Sequence, residues 1–131
     1  MPVSGLGVYD TQNIFARILR GEIPCATVYE DEYALAFHDI APRAPVHVLV
    51  IPKGAWVSFA DFSEGAPEAE IAGFIRAVGR VARQLGLEEP GYRLLSNMGA
   101  HGGQEVPHLH VHLFGGGPLG PMLVPEAAGV D

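Results

Sequence analysis

Three histidines alternate with aliphatic residues near the C-terminal end of the chain, at His108, His110 and His112. A strand sends successive side chains to opposite faces, so this spacing puts the three imidazoles on one face and Leu109 and Val111 on the other. Imidazole side chains are unfavourable in a hydrophobic core, because each needs hydrogen-bond partners once buried. The pattern predicts a strand whose aliphatic face packs on a helix and whose histidine face lines a cleft.

Three interpretations of this histidine face follow from the residues alone. It could be the polar outer face of an edge strand. It could be a metal centre, because two or three imidazoles bind zinc, and His47 from another predicted strand could join them. It could also be a nucleophilic site, since a neutral imidazole attacks well when one ring nitrogen is held by an acceptor. A neighbouring histidine then protonates the leaving group.

A glycine-rich loop, GAHGGQEV, precedes the histidines. Its glycines allow backbone conformations that point several N–H groups at one anion. Asn97 and Gln104 flank these glycines with amide groups. A plain turn between strands would also explain such a loop, but beside a nucleophile it favours phosphorus chemistry.

The elements that position these residues are predicted from periodicity and turn signals. A short helix is predicted between an N-cap at Thr11 and a stop at Gly21, and a long helix over residues 67–85, where apolar residues recur three and four apart. Strands are predicted over residues 26–30, 33–39, 47–51, 92–98 and 107–114.

These elements predict an α+β domain built on a five-stranded antiparallel sheet with one long and one short helix. Residues 1–10 are predicted to form a loose N-terminal arm, residues 11–117 the domain, and residues 118–131 a C-terminal tail. The length of 131 residues fits a single domain.

Composition narrows the function classes. The chain carries a net charge of −7 and only eight Lys and Arg residues, which do not cluster, so no basic groove for nucleic acid is expected. No apolar run approaches the ~20 residues that span a bilayer, and the N-terminus has no secretory pattern. Cys25 is the only cysteine and cannot form an internal disulfide, so a cytoplasmic location is expected.

The segment HGGQEVPHLHVHLFGG resembles the signature of the histidine triad (HIT) superfamily. The segment that runs from IFARILRGEIP to HDIAPRAPVHVLVIPK resembles the Hint branch of that superfamily, the purine nucleoside phosphoramidases, and GGGPLGPML is similar to bacterial Hint proteins. The resemblance covers about residues 13–124, nearly the whole chain.

This resemblance implies a HIT-like fold that forms a homodimer through its strands and long helix. It implies hydrolysis of the P–N bond of purine nucleoside 5′-phosphoramidates or aminoacyl-adenylates, through a covalent nucleotidyl-histidine intermediate that releases the nucleoside monophosphate. No metal and no other cofactor is implied. Two alternatives stay open: a dinucleoside polyphosphate hydrolase with the same histidines, and a non-enzymatic zinc- or nucleotide-binding module.

The resemblance also assigns roles to four histidines. The middle one of the triad, His110, is implied to be the nucleophile. His112 is implied to contact the phosphate and the leaving group, His108 to orient the site, and His47 to support the nucleophile.

A nucleotide-binding set is implied as well, with Asp39 at the ribose hydroxyls. Its members are Phe15, Ile18, Phe37, His38, Asp39, Ile40 and Leu49 around the nucleoside, and Asn97, Gly103, Gln104 and Glu105 around the phosphate. The sequence departs from the family pattern at Pro107, where many relatives have an aromatic residue, and at Glu105, where animal relatives have a serine. The tail also lacks an aromatic residue to place over a partner's pocket.

Overall fold

The computed structural model describes residues 3–124 and contains five strands and four helices. The strands are β1 (Thr27–Glu30), β2 (Ala34–His38), β3 (Val46–Pro52), β4 (Arg93–Leu95) and β5 (Val111–Gly115). The helices are α1 (Ile14–Leu19), α2 (Phe59–Gly65), α3 (Glu68–Gln84) and α4 (Gly99–Gly102). The strands form one antiparallel sheet in the order β1-β2-β3-β5-β4, which confirms the predicted five-stranded sheet.

The alternation of side chains along β2, β3 and β5 builds two separate apolar layers. One layer packs under α3 and includes Ala34, Ala36, Val48, Val50, Phe74, Val81 and Leu113. The other packs under α1 and includes Phe15, Leu35, Phe37, Leu49 and Ile51. Burying each larger side chain contributes about 1.5–3 kcal/mol, so both layers hold the sheet in place. The α1 layer shares its face of the sheet with His47 and His112.

Gly73 lets helix α3 pack closely against the ring of Tyr33, the residue just before β2. A Cβ atom there would lie only 2.1 Å from the ring of Tyr33, so any larger residue would push the helix away. The cost of a helical glycine, about 1 kcal/mol, is therefore offset by this close packing.

The helices differ from the prediction at three places. The N-cap of α1 is Asn13, not Thr11, because the Asn13 side chain accepts a hydrogen bond from the Ala16 N–H at 2.9 Å. Helix α2 was not predicted, although Ser58 and Asp61 form a capping box at its start. Part of the predicted glycine-rich loop forms the single turn α4.

The fifth strand begins at Val111, later than predicted, so His108 and His110 precede the paired region. Pro107 has no N–H to give to a sheet, and the Leu109 N–H donates instead to the carbonyl of Trp56 at 2.8 Å. The side chains still alternate, because Leu109 lies in the α3 layer while the three imidazoles avoid it. The predicted separation of an aliphatic and a histidine face is therefore correct. Strand β4 is also shorter than the predicted 92–98.

The N-terminal arm, predicted to be loose, is docked on the domain. Ser58 Oγ donates to the carbonyl of Gly5 at 2.7 Å, and Gly5 adopts a positive φ of 78°. A Cβ atom on Gly5 would lie 3.1 Å from the backbone nitrogen of Gly99, so the arm passes directly over the glycine-rich segment. The predicted domain boundaries at residues 10/11 and 117/118 stay predictions, and residues 125–131 of the predicted tail lie outside the described residues.

Within residues 3–124, none of the helices combines the length and the apolar character needed to cross a bilayer. The longest, α3, has 17 residues and a strongly amphipathic sequence.

Candidate active site

A cavity of about 290 Å³ opens on the α1 side of the sheet, next to two of the histidines. That volume is at the small end of the range for small-molecule sites. The lining residues are Ile14, Phe15, Ile18, Phe37, His38, Asp39, Ile40, Leu49, Glu105, Val106, His110 and His112. All seven residues predicted to surround a nucleoside are among them. One wall is aliphatic and aromatic, and the other carries the imidazoles and two carboxylates.

His110 presents a free ring nitrogen to this cavity. Its Nδ1–H donates to the backbone carbonyl of His108 at 2.7 Å, and a carbonyl oxygen only accepts. In neutral His110 the lone pair is therefore on Nε2. The ring is 4 % exposed and packs edge-on against Phe15, with ring centroids 5.0 Å apart. The ring is thus held in place with an unprotonated nitrogen, Nε2.

His112 has the opposite tautomer, and His47 is the reason. The backbone N–H of Arg43 donates to His47 Nδ1 at 3.1 Å, so the proton of neutral His47 is on Nε2. His47 Nε2–H then donates to His112 Nδ1 at 2.9 Å. The remaining nitrogen of His112, Nε2, consequently carries a proton. The structure thus pairs His47 with His112. The expectation that His47 supports the nucleophile stays a prediction.

Burial lowers the pKa of all four of these histidines. It lowers the pKa of His108 to about 4, and it does the same to the pKa of His112, helped by the neighbouring His110 and His47. The pKa values of His110 and His47 are lowered by the same loss of solvation, and the Asp39 carboxylate partly opposes this at His47. At neutral pH the imidazoles are therefore uncharged, which keeps His110 nucleophilic.

Gln104, predicted to contact the phosphate, is buried behind the glycine-rich segment. Its side-chain NH₂ donates to the carbonyls of Val57 (2.8 Å) and Val106 (3.0 Å), while its Oε1 accepts from the Gly99 N–H at 3.0 Å. The amide is buried and fully used, so it braces the glycine-rich segment from behind and does not line the cavity. Asn97 and Gly103 are also absent from the lining. Gly103 ends α4 with a positive φ of 76°.

His108 lies behind the cavity wall and is completely buried. Its Nε2–H donates to the carbonyl of Pro52 at 2.9 Å, and its Nδ1 accepts from the Tyr9 hydroxyl at 2.6 Å. The prediction that His108 orients the site stays a prediction. Tyr9 was not predicted, because nothing in its sequence context links it to a residue 99 positions away.

Two further lining residues were missed. Ile14 lies one helical turn before Ile18 on the same face of α1, and that spacing was a usable signal. Val106 follows Glu105 in an irregular segment, where no periodicity applies.

Asp39, His47 and His112 form the one group in the described residues that could hold a metal ion, with their ligand atoms within 4.8 Å of one another. His47 Nε2 lies 3.5 Å from Asp39 Oδ2 and 2.9 Å from His112 Nδ1. Two nitrogens on one tetrahedral zinc lie about 3.3 Å apart, from Zn–N distances of about 2.0–2.1 Å. The two rings are therefore spaced for a shared proton, and a metal would require them to separate.

The alternating histidines, the sheet order and the cavity define a histidine triad protein. A model of the HIT domain family matches residues 20–119, and the chain belongs to that family. A HIT-like protein from Azospirillum brasilense is 67 % identical over 115 residues, which are 88 % of this chain and 94 % of that protein. The purine nucleoside phosphoramidase of Escherichia coli K12 is 46 % identical over 112 residues, or 86 % of this chain and 93 % of the enzyme.

Solved structures agree with this assignment. A HIT family hydrolase from Clostridium thermocellum superposes with a TM-score of 0.78 at 41 % identity, and the match covers 86 % of this chain and 97 % of that one. A histidine triad protein from Clostridium difficile gives a TM-score of 0.77 at 37 % identity, covering 88 % of this chain and 100 % of that one.

Proposed function

We propose that this protein is a nucleotide hydrolase that cleaves the P–N bond of purine nucleoside 5′-phosphoramidates or aminoacyl-adenylates. The observation that carries the proposal is the pair of opposite tautomers in one cavity: a lone pair on His110 Nε2 beside a proton on His112 Nε2. One supplies a nucleophile and the other an acid. The 46 % identity to a purine nucleoside phosphoramidase supports the choice of substrate.

The cavity wall suits a purine nucleoside. Phe15 and Phe37 pack edge to face, 5.7 Å between centroids, and with Leu49 they offer an apolar surface for a base. Asp39 lines the same cavity, and its Oδ1 accepts from the Ala41 N–H at 2.7 Å. In this proposal the Asp39 carboxylate accepts hydrogen bonds from the ribose hydroxyls.

In the first step the His110 Nε2 lone pair forms a bond to phosphorus and the P–N bond breaks. His112 Nε2–H gives its proton to the departing nitrogen, so the amine leaves neutral. A proton from solvent replaces it on His112 Nε2, and the His47–His112 pair stays neutral. His110 is then a nucleotidyl-imidazolium.

In the second step water attacks the same phosphorus. Its proton is lost to solvent, the bond between phosphorus and His110 Nε2 breaks, and the electron pair of that bond returns to His110, which is again a neutral imidazole. The product is the nucleoside monophosphate. Throughout, the His108 carbonyl keeps His110 Nδ1 protonated.

A substrate panel tests this function. Adenosine and guanosine phosphoramidates should be hydrolysed by the wild-type protein and not by His110→Ala, whereas diadenosine polyphosphates should be poor substrates. Preferential cleavage of the polyphosphates would support the alternative hydrolase. Nucleotide or zinc binding without any turnover would support the non-enzymatic alternative.

We propose in addition that the protein is a homodimer. An apolar groove lies between α2, α3 and edge strand β4, and three of its side chains are largely exposed: Phe59 (60 %), Ile75 (60 %) and Leu94 (46 %). The groove is continuous with the unpaired edge of β4. A second copy of the same groove across a twofold axis would cover both the apolar surface and the edge.

Light scattering tests the dimer. Ile75→Glu is expected to give the mass of one chain, while Thr27→Glu, which adds the same charge at the opposite edge of the sheet on β1, should leave the mass of two. A monomeric wild-type protein, or a dimeric Ile75→Glu variant, would contradict this surface.

The cytoplasmic location and the absence of nucleic-acid partners also stay predictions. The first is supported by the single cysteine, Cys25, which suits a reducing compartment. The second is supported by the net charge of −7.

A further inference from the structure

Tyr9 lies in the N-terminal arm and lines no part of the nucleotide cavity, yet it contacts the histidine triad. Its hydroxyl oxygen lies 2.6 Å from His108 Nδ1, and the two rings meet edge to face with centroids 5.6 Å apart. Burial raises the pKa of Tyr9, so the hydroxyl carries its proton at neutral pH.

The direction of this hydrogen bond follows from the other side of the ring. The carbonyl of Pro52 accepts from His108 Nε2, so Nε2 carries the proton and neutral His108 has its lone pair on Nδ1. Tyr9 is therefore the donor. Both nitrogens of a fully buried imidazole are satisfied, and no freedom is left to flip the ring.

The position of His108 matters because its backbone orients His110. The His108 carbonyl accepts from His110 Nδ1–H at 2.7 Å, and this bond leaves the lone pair on His110 Nε2. Phe15 links the same two rings, with centroids 6.3 Å from His108 and 5.0 Å from His110. A His108 ring that loses its Tyr9 partner would move its own carbonyl and therefore the nucleophile.

The arm that brings Tyr9 to this place is anchored independently. Ser58, completely buried, donates to the Gly5 carbonyl, and a Cβ atom on Gly99 would lie 3.0 Å from the carbonyl oxygen of Ser4. At the other end, Arg20 Nη1 donates to the Thr11 carbonyl at 2.7 Å. Tyr9 is thus held between two fixed points on the domain.

We propose that Tyr9 is a positioning residue of the active site, which holds the His108 ring and through the His108 carbonyl aims the His110 lone pair at phosphorus. This proposal rests on the proposed phosphoramidase function. It makes residues 4–9 of the arm a support of the active site, although none of them lines the cavity.

The kinetic test compares Tyr9→Phe with Tyr29→Phe. Each variant removes one tyrosine hydroxyl that donates a hydrogen bond, and the partner of Tyr29, Asp31 Oδ2 at 2.8 Å, lies outside the cavity. Tyr9→Phe should lower the single-turnover rate of amine release about tenfold with KM unchanged, since a buried acceptor loses its only donor. Tyr29→Phe should leave both constants unchanged.

The second readout is the ¹⁵N chemical shift of the labelled histidine rings. If Tyr9 had a purely structural role, its removal would leave the shift of His110 unchanged. In Tyr9→Phe the His108 Nδ1 signal should move to the chemical shift of a non-protonated nitrogen that accepts no hydrogen bond. The His110 Nδ1–H signal should also shift. In Tyr29→Phe both signals should stay in place.

An unchanged His110 signal together with an unchanged rate in Tyr9→Phe would overturn the proposal, as would a rise in KM at constant rate. An inactive wild-type protein would contradict the proposed function instead. The NMR signals would then still decide whether Tyr9 orients His110.

Discussion

His47 Nε2–H donates to His112 Nδ1 over 2.9 Å, and this bond determines which nitrogen of His112 faces the cavity. The proton can lie on His47 Nε2 only because the Arg43 N–H occupies His47 Nδ1. The backbone of the turn before β3 therefore fixes, through two imidazoles, the proton that the proposed reaction gives to its leaving group.

Replacing His47 by Leu should remove this control. Without a donor at Nδ1, His112 can place its proton on either nitrogen, and we expect kcat for alkylamine phosphoramidates to fall about 100-fold or more, the usual contribution of a general acid. The loss should be much smaller for a nucleotide ester with a phenolate leaving group, which needs no proton. His47→Gln keeps an amide donor and should lose less. Equal losses for both leaving groups would contradict the assigned role.

Acid should destabilise the folded protein through the same buried rings. Burial lowers the pKa of His108 and His112 to about 4, against 6.5 for an unperturbed histidine. Between these values the unfolded chain binds more protons than the folded one, so stability falls as the pH falls from 6.5 toward 4. The slope is about 1.4 kcal/mol per pH unit for each histidine.

Urea unfolding at several pH values between 7 and 4.5 measures this slope. His108→Gln has no titrating ring at this position. It should reduce the pH dependence of the unfolding free energy by the contribution of one histidine, whatever its effect on stability at pH 7. A slope equal to that of the wild type would show that His108 is not buried as a neutral ring.

Chelation should leave the activity unchanged. His47 and His112 are spaced for a shared proton, and their separation is shorter than that of two ligands on one zinc ion. Prolonged treatment with a strong chelator, followed by metal analysis and assay, provides the test. Loss of activity that zinc restores would assign the cluster of Asp39, His47 and His112 to a metal instead.

The C-terminal tail should affect the choice of leaving group. Leu119 lines a cavity with Arg43, Arg93, Leu95 and Phe114, and the Phe114 ring stacks on His112 with an interplanar angle of 2°. Arg93 holds the tail by donating to the carbonyls of Gly120 (3.0 Å) and Pro121 (3.3 Å).

Deleting the chain after Gly117 should therefore leave a dimer but alter the ranking of amine leaving groups in a substrate panel. Deletion after Val124 is the matched control and should preserve the ranking. A monomeric product, or an unchanged ranking after the longer deletion, would show that the tail has another role.

The sheet and the histidine face could be predicted because their signals are local. Alternation in residues 107–114 and the apolar spacing in α3 each depend on neighbours a few positions apart. Helix α2 carried a local signal as well, the capping box of Ser58 and Asp61. It was missed because a helix of seven residues is too short to show a repeating apolar pattern.

Contacts between distant segments could not be predicted in this way. The sequence favoured Gln104 as a phosphate contact because it flanks glycines, but its amide bonds Val57, on a segment 47 residues away. Tyr9 and His108 are 99 residues apart, and the His47–His112 bond depends on the pairing register of β3 with β5. Such partners are decided by the packing of the sheet and by the path of the arm.

Mass spectrometry of a trapped intermediate tests whether His110 is the nucleophile. His112→Asn, mixed with an aryl ester of adenosine 5′-monophosphate whose phenolate leaving group needs no acid and quenched within one turnover, should accumulate an adenosine monophosphate adduct. We expect this adduct on His110, in the peptide that contains it, and none in the His110→Ala, His112→Asn double variant. An adduct on His47 or His108, or full turnover by His110→Ala, would contradict this assignment.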